Sequence, residues 1–320
     1  MKAIKVSVCV VTYNHENYIR TCLESIIKQE TDFEFEIIVG DDCSTDGTSL
    51  IIREFELQYP GRVKYLDHKK NIGASKNYIT VHNEAIGEYI AHIDGDDYWA
   101  TNKLNEQVKF MENSKECIAV YSNAIVVAKE NKSIGIFNSS INHIFDTNYL
   151  ISRGNFLCHS TLMYRSAIKD KILNISGNFI DYQVHIKLSE NGFLGYINKN
   201  LTIYRSDSSS SIFIDNNNYI RKLYLNALLN INKTKVNSSS LHAAFANFLA
   251  EAMHYELMCG TLKGYKTWQH IIKMEAPVNI RSLKLSAYFI FIKNSLKKVM
   301  GKIALYANRK KVGIKIFHPR

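Results

Sequence analysis

The chain has 320 residues, 46% of them hydrophobic, which is enough for one large domain or two modest ones. Its net charge of +10 is uneven, because residues 281–320 hold eleven Lys and Arg and no acidic residue, whereas the other 280 hold 29 basic and 30 acidic residues. This near-neutral body argues against a nucleic-acid enzyme with a basic channel, and no apolar stretch has the length of a membrane span or the form of a signal peptide.

We therefore expect a cytoplasmic protein with no nucleic-acid partner. Its six cysteines show no CxxC pairing and no zinc spacing. In a reducing compartment they are expected to be free thiols, several of them buried.

Strands and helices alternate through the first hundred residues. The hydrophobic pattern predicts strands at 6–11, 36–40, 63–66 and 88–93, and helices at 16–29, 44–59 and 74–85. Such alternation indicates a parallel sheet with right-handed crossovers, whose ligands bind beyond the carboxyl ends of the strands. Residues 12–15, 41–44 and 94–97 fall at those ends, so three segments should converge on one crevice.

The pattern is looser beyond residue 113. It predicts strands at 118–127, 161–165 and 195–205, a helix at 181–191, and a helical region at 219–272. Residues 128–160 are polar and typical of loops, and the Ser- and Asn-rich residues 206–218 are typical of a mobile loop.

The tetrad Asp94-Gly95-Asp96-Asp97 is the most informative motif. Three carboxylates at the end of a buried strand repel one another, and a divalent cation would relieve that repulsion. Mg²⁺ or Mn²⁺ prefers such oxygen ligands and often shares them with substrate phosphates. Asp96 and Asp97 are therefore candidate metal ligands, and Asp94 would hold a ribose or assist the metal. The alternative, a turn between two elements, needs no more than one acid.

Three further candidates follow other strands. Tyr13 could stack on a base or pack at a strand end. Asp42 could accept a hydrogen bond from a pyrimidine ring, because Ser44 or Thr45 can already cap the next helix. Lys76 could reach a diphosphate near a helix N-terminus, although a solvated surface lysine is the commoner role.

Asp181 begins a predicted helix and could be a general base or simply an N-cap. Arg205 precedes the Ser-rich segment and could neutralise a diphosphate. His159 is a weaker candidate, and no spacing of histidines indicates a zinc site.

The basic tail, residues 281–320, places Leu285, Phe289, Ile292 and Leu296 on one helical stripe, with lysines off that stripe. A cationic amphipathic helix suits an anionic membrane surface. Packing on the protein body or a coiled-coil seam is the alternative.

Four motifs in order resemble family 2 of the inverting glycosyltransferases. They are Val8-Cys-Val-Val-Thr-Tyr-Asn14, Ile37-Ile-Val-Gly-Asp-Asp-Cys-Ser-Thr-Asp-Gly-Thr48, Asn71-Ile-Gly-Ala-Ser-Lys-Asn77 and Gly87-Glu-Tyr-Ile-Ala-His-Ile-Asp-Gly-Asp-Asp97.

The resemblance implies an α/β fold of the nucleotide-diphospho-sugar transferase (GT-A) type: a Rossmann-like, mostly parallel sheet flanked by helices, with a C-terminal helical region. It implies that Tyr13 and Asp42 contact the nucleoside, that Asp94 and Asp96 form the family's Asp-x-Asp with Asp96 nearest the metal, that Asp181 is the catalytic base, and that Arg205 belongs to the family's Tyr-Arg pair. Together with the candidates argued above, the expected nucleotide-sugar site is Thr12, Tyr13, Asp42, Lys76, Asp94, Asp96 and Arg205, and the expected metal ligands are Asp96 and Asp97. The family's acidic residue before that base is Ile180 here, and Asp207 stands where members often carry a histidine.

We therefore expect a metal-dependent, inverting hexosyltransferase that uses Mg²⁺ or Mn²⁺ and a nucleotide sugar, predicted to be UDP-linked. A saccharide or lipid-linked saccharide of surface polysaccharide synthesis would be its acceptor. The expected parts are a nucleotide-sugar-binding half (1–115), an acceptor and catalytic-base half (116–212), a helical region (213–280) and the basic tail (281–320). A sugar nucleotidyltransferase and an inactive nucleotide-sugar-binding protein are the alternatives.

Overall fold

The computed structural model describes residues 3–128, 132–139, 143–206, 217–260, 262–307 and 315–318. Its first half alternates as the sequence predicts. The elements are β1 (Val6–Thr12), α1 (Ile19–Ile27), β2 (Phe35–Asp41), α2 (Thr48–Gln58), β3 (Val63–Asp67), α3 (Ala74–Asn83), β4 (Tyr89–Asp94), β5 (Tyr98–Trp99) and α4 (Lys103–Asn113).

The second half is richer in structure than the sequence pattern predicts. Its elements are β6 (Cys117–Val127), β7 (Ser133–Asn138), β8 (His143–Phe145), α5 (Thr147–Arg153), β9 (Met163–Arg165), α6 (Lys169–Leu173), α7 (Asp181–Ser189), β10 (Phe193–Arg205), α8 (Asn217–Leu229), α9 (Ser238–Met258), α10 (Lys263–Glu275), α11 (Ile280–Ala307) and β11 (Ile316–His318).

One sheet organises the molecule, with strand order β11-β7-β6-β9-β4-β1-β2-β3. Strands β4, β1, β2 and β3 are mutually parallel, and the short β9 runs antiparallel between β4 and β6. Strand β10 pairs parallel with β6 and antiparallel with β5 and β8. The predicted α/β class, a mostly parallel sheet flanked by helices with helices at the C-terminal end, is confirmed.

Two apolar layers cover the sheet. Along β1, Val6, Val8 and Val10 pack with α1, α2 and α4, whereas Cys9 packs in the layer formed by α3 and the later helices. This alternation is the period-two pattern of a strand buried on both faces. It explains why β1 reads as an unbroken hydrophobic run.

Two expectations from sequence need correction. Residues 128–160 are not mainly loops, because β7 pairs with β6, β8 pairs with β10, and α5 begins at an Asp146 cap that accepts from the Tyr149 N–H. These short elements gain their stability from pairing partners distant in sequence. The predicted loop 206–218 ends earlier, since α8 begins at Asn217, and residues 207–216, with Asp207, lie outside the described residues.

All six cysteines are free thiols, and Cys9, Cys22, Cys117 and Cys158 are buried. This confirms the interpretation of the cysteine pattern. Burial raises the pKa of the Cys9, Cys22 and Cys158 thiols well above the usual value, so these side chains behave as small apolar groups.

Candidate active site

Residues 12–15, 41–44 and 94–97 all follow parallel strands at one edge of the sheet. Thr12 lies opposite Asp41 in the β1–β2 register, and Val11 lies opposite Asp94 in the β1–β4 register. Three loops therefore meet at this edge, as the alternating pattern predicts. A cleft of about 820 Å³ opens beside it and is lined by both Asp94 and Asp181.

Asp94 is held from two sides at the end of β4. Nε2 of His92 lies 3.2 Å from its Oδ1, and the Ser160 hydroxyl donates to its Oδ2 at 3.3 Å. Burial alone would raise the pKa of Asp94, but its interactions with His92, His15 and Ser160 together lower this pKa. The carboxylate is thus oriented and kept ionised beside the cleft.

Gly95 allows the tetrad to fold tightly against β1. A Cβ at this position would lie 2.6 Å from Oγ1 of Thr12. The Gly95 N–H donates to the Val11 carbonyl at 2.8 Å, and the Asp97 N–H donates to the Asp94 carbonyl at 3.0 Å. A glycine is therefore needed here for close packing, and the tetrad is also a turn.

Arg205 joins the end of β10 to the tetrad. Its backbone N–H donates to Oδ1 of Asp97 at 2.8 Å, and its Nε donates to the Asp96 carbonyl at 2.7 Å. Its guanidinium lies over the rings of Tyr18 and Tyr98, with centroid distances of 4.9 and 5.2 Å. A cation is thus fixed beside the acidic cluster, and its role toward a diphosphate stays a prediction.

Asp97 faces inward. Burial, followed by repulsion from Asp96 and Asp94, raises the pKa of Asp97 well above its usual value. Its Oδ2 is buried without a hydrogen-bond partner among the described residues. Asp96, in contrast, is only half-buried at the sheet edge.

The donor set fits a minimal divalent-cation site. In the described part of the chain, no three His, Cys, Asp or Glu side chains converge into a metal-binding group. Mg²⁺ in nucleotide sites usually takes only one or two carboxylates and fills its other positions with phosphate and water oxygens. The half-buried Asp96 and the orphaned oxygen of Asp97 match that need, and their assignment as metal ligands stays a prediction.

Asp181 begins α7 on the other side of the cleft. Its Oδ1 accepts from Nδ2 of Asn155 at 3.0 Å and from the Tyr182 N–H at 2.7 Å. Its Oδ2 takes part in neither bond. Burial raises the pKa of Asp181 to about 6, and the two hydrogen bonds moderate the rise. A carboxylate with this pKa can accept a proton near neutral pH.

The segment Thr12-Tyr13 ends β1 at the same edge. Oγ1 of the buried Thr12 lies 3.1 Å from Nδ1 of His15, and Tyr13 is 39% exposed, so its ring is accessible for stacking. Asn14 has a φ of 54°, and its side-chain oxygen accepts from the Thr45 N–H. These bonds tie the loop after β1 to the loop after β2.

Asp42 already has backbone partners. Its carboxylate accepts from the Ile72 N–H at 2.7 Å and from the Gly73 N–H at 3.0 Å. It therefore holds the turn before α3, and the nucleoside contact expected of it stays a prediction. Lys76 is exposed on the first turn of α3 and does not line the cleft, whereas its neighbours Ala74 and Ser75 do.

Sequence reasoning missed a row of histidines behind the two carboxylates. Nε2 of His82 lies 3.1 Å from Nδ1 of His92, and Nδ1 of His159 lies 3.0 Å from Nε2 of His185. The rings of His92 and His159 are 4.2 Å apart. His159 and His185 lie far in sequence from His82 and His92, and the four have no metal spacing, so only their convergence in the fold could reveal the row.

The basic tail packs on the body along part of its length. Leu283 and Ala287 of α11 are fully buried, and Ser286 lies 3.0 Å from Nε2 of His242 on α9. The exposed fractions of Leu285, Phe289 and Leu296 are 58%, 62% and 57%. None of the helices built from the described residues has the length and apolar character needed to cross a lipid bilayer.

Comparison with known proteins gives one family. Residues 7–173, just over half of the chain, match the family model described as Glycosyl transferase family 2. The chain is 30% identical over 201 residues to the uncharacterized protein Rv1520 of Mycobacterium tuberculosis, covering 62% of this chain and 58% of that protein. It is 33% identical over 178 residues to the UDP-Glc:alpha-D-GlcNAc-diphosphoundecaprenol beta-1,3-glucosyltransferase WfaP of Escherichia coli, covering 55% of this chain and 65% of that protein.

Solved structures share the fold. S. aureus TarS 1-349 in complex with UDP-GlcNAc matches with a TM-score of 0.61 and 21% identity, over 91% of this chain and 81% of the TarS 1-349 chain. The mannosyltransferase PcManGT from Pyrobaculum calidifontis, in complex with GDP-Man and Mn²⁺, matches with a TM-score of 0.55 and 16% identity, over 91% of this chain and 81% of PcManGT.

Proposed function

The chain belongs to glycosyl transferase family 2, and we propose that it moves a sugar from a UDP-linked donor to a hydroxyl of a glycan or lipid-linked acceptor, with inversion at the anomeric carbon. The observation that carries this proposal is the placement of Asp94 and Asp181 on one cleft of about 820 Å³. One carboxylate belongs to the donor-binding sheet edge, and the other is a candidate base. A cleft of this size is typical of small-molecule sites.

In the proposed reaction Asp181 takes the proton from the acceptor hydroxyl. Oδ2 is the candidate atom, because Oδ1 already accepts two hydrogen bonds. The acceptor oxygen forms a bond to the anomeric carbon from the face opposite the nucleotide, and the bond from that carbon to the diphosphate oxygen breaks. The electron pair of the broken bond leaves with UDP, so the configuration at the carbon inverts.

Charge on the departing diphosphate requires compensation at the tetrad. Arg205 supplies one fixed positive charge there, and its bonds to Asp96 and Asp97 hold it in place. A divalent cation bound at Asp96 and Asp97, when present, would act as a Lewis acid toward the same oxygens. Thr12, Tyr13, Asp42 and Lys76 are the proposed contacts of the nucleoside and the phosphates.

The relatives support the classes of donor and acceptor. WfaP is named as a transferase that moves glucose from UDP-Glc to a sugar linked to diphosphoundecaprenol, and TarS was solved with UDP-GlcNAc. The chain covers less than two thirds of WfaP and of the mycobacterial relative. A UDP sugar and a lipid-linked glycan acceptor, as in surface polysaccharide synthesis, are therefore our proposals for this chain.

A thermal-shift screen tests the donor. UDP-, GDP-, dTDP- and CMP-sugars are each added with and without Mn²⁺, because a ligand that binds only the folded state raises the melting temperature. We expect a UDP sugar with Mn²⁺ to give the largest rise. If no nucleotide sugar raises the melting temperature, the proposed function is wrong. If GDP- or dTDP-sugars dominate, only the assignment of the nucleotide is wrong.

We also propose that the exposed face of α11 meets an anionic membrane surface at the cytoplasmic side. Leu285, Phe289 and Leu296 share this face, and Lys284, Lys293 and Lys297 are exposed on the same helix. An apolar stripe beside lysines suits negatively charged lipid headgroups. This contact would bring the cleft to a lipid-linked acceptor.

Point changes on α11 test the contact without removing the buried Leu283 and Ala287. The double variant Leu285→Ser with Phe289→Ser should sediment less than wild type with phosphatidylglycerol vesicles. Neither protein should sediment with neutral vesicles. Leu57→Ser is the matched control, because Leu57 is 82% exposed on α2. Equal sedimentation of wild type and the double variant would overturn the membrane proposal.

A further inference from the structure

A chain of hydrogen bonds leads from the cleft to the candidate base. Nδ1 of His159 lies 3.0 Å from Nε2 of His185, and Nδ1 of His185 lies 3.0 Å from Oδ1 of Asn155. Nδ2 of Asn155 then donates to Asp181 at 3.0 Å. His185 is fully buried, and its ring meets Tyr121 edge-on at 5.0 Å.

The chemistry of these groups fixes which one donates and which one accepts in each hydrogen bond of the series. An ionised carboxylate only accepts, so Asn155 must present its NH₂ group to Asp181 and its oxygen to His185. His185 therefore carries its proton on Nδ1. Burial lowers the pKa of His185 to about 3, so the ring is neutral and its Nε2 has a lone pair. His159 must then donate to that nitrogen from its own Nδ1.

The same argument leaves His159 with an unprotonated Nε2. Burial lowers the pKa of His159 well below the usual value, so this ring is also neutral. His159 lines the cleft. Its Nε2 can therefore accept a hydrogen bond but cannot donate one.

Tyr78 supplies the complementary group. Its ring stacks 5.4 Å from that of His159 and also lines the cleft. The residue is 5% exposed, and its hydroxyl is buried without a hydrogen-bond partner within the described part of the chain. An orphaned hydroxyl costs free energy unless a ligand satisfies it. A sugar hydroxyl bound between the two residues would donate to His159 and accept from Tyr78.

We propose that Asn155 and His185 are positioning residues that orient Asp181 for proton abstraction, and that His159 and Tyr78 form a subsite for one sugar hydroxyl at the other end of this series of hydrogen bonds. The proposal rests on the proposed glycosyltransferase function. A bound hydroxyl completes an unbroken series of hydrogen bonds from substrate to Asp181, and such series strengthen cooperatively in a low-dielectric interior. Substrate binding thereby restricts the motion of Asp181, the candidate base.

Steady-state kinetics distinguish the roles of the two ends of the hydrogen-bond series. Asn155→Ala should lower kcat about 10- to 100-fold, since misplacing a catalytic group by an ångström has effects of this size, and should leave the donor KM unchanged. His159→Phe should instead raise the KM of the sugar substrate that contacts it. Asn123→Ala is the matched control, because it also removes a buried amide, one that bonds Asn138 and Asn198, and it should change neither constant.

Rescue by a conservative variant distinguishes positioning from packing. His185→Asn can keep a donor in the place of Nδ1, whereas His185→Phe cannot. We expect the Asn variant to retain at least tenfold more activity than the Phe variant when both show a folded thermal transition. Equal losses in the two variants would show that a donor in the place of Nδ1 does not position Asp181.

Nitrogen NMR of ¹⁵N-histidine-labelled protein tests the chain without any substrate. His159 and His185, assigned by their single variants, should both be neutral with the proton on Nδ1, although free histidine in water prefers Nε2. Protons on Nε2 in either ring would overturn the inference. If the tautomers are as expected and yet no sugar is transferred, the hydrogen-bond chain stands and the proposed function fails.

Discussion

Replacing Asp181 with Asn should stabilise the fold at pH 8 while it removes most of the transfer activity. Burial raises the pKa of this carboxyl from 3.8 to about 6. The folded chain therefore holds the proton more tightly than the unfolded chain does, and the fold loses stability as the pH rises from the lower value through the higher one. A neutral amide avoids this loss. Its oxygen can still accept from Asn155 and from the Tyr182 N–H.

The expected gain follows from the two pKa values. At pH 8 it amounts to about 1–3 kcal/mol in the free energy of unfolding, and at pH 5 it falls to roughly half, because both states of the wild-type chain then carry more of the proton. Urea unfolding at the two pH values measures it. Over the same comparison kcat should fall by about 10²–10⁴, the usual contribution of a general base.

Asp32→Asn is the control, since it makes the same chemical change at an exposed position. It should alter neither stability nor transfer. If Asp181→Asn is less stable than wild type at pH 8, the carboxylate is not held at an energetic cost. If transfer stays near normal, another group is the base.

Asp96→Ala should lower the affinity for UDP more than tenfold in the presence of Mn²⁺ and little in its absence, because one or two carboxylates usually complete such a site; titration calorimetry measures both, and unchanged affinity would remove the metal assignment. Gly95→Ala should lower the free energy of unfolding by about 1–3 kcal/mol, because its Cβ would lie 2.6 Å from Oγ1 of Thr12; an unchanged urea midpoint would contradict the close packing. Lys103→Met should leave the free energy of unfolding unchanged or raise it by up to about 2 kcal/mol. The Lys103 amine is fully buried, burial lowers its pKa well below the usual value, and Gln107 accepts its hydrogen bond. A large loss of stability in urea unfolding would show that the fold requires the amine.

The first half of the fold was predictable because its signals are local. Strands β1, β2 and β4 are short hydrophobic runs buried on both faces, whereas β3 is a partly exposed edge strand. Each intervening helix shows its own apolar stripe. The carboxyl ends of parallel strands share an edge, so the convergence of residues 12–15, 41–44 and 94–97 followed from the order of elements alone. The family then followed from four motifs at that edge.

The remaining features depend on contacts between distant segments. Strands β7 and β8 are short and acquire their pairing from β6 and β10. The strand β11 of the basic tail pairs with β7, and no periodic pattern in the tail sequence predicts it. Asp181 accepts from Asn155, which lies 26 residues before it in the chain, and Asn155 in turn contacts His185 on α7. The environment of the candidate base could therefore be read only from the structure.

The buried histidines beside the cleft should make the stability of the fold depend on pH. Burial lowers the pKa of His82, His159 and His185, so all three stay neutral in the folded chain and take up protons near pH 6.5 once it unfolds. Below that pH, uptake of these three protons on unfolding lowers the free energy of unfolding by about 4 kcal/mol for each further pH unit. Mild acidification should therefore inactivate the molecule by melting it, and repeating the melt after replacing one of the three with a residue that does not titrate should make the slope shallower by about a third.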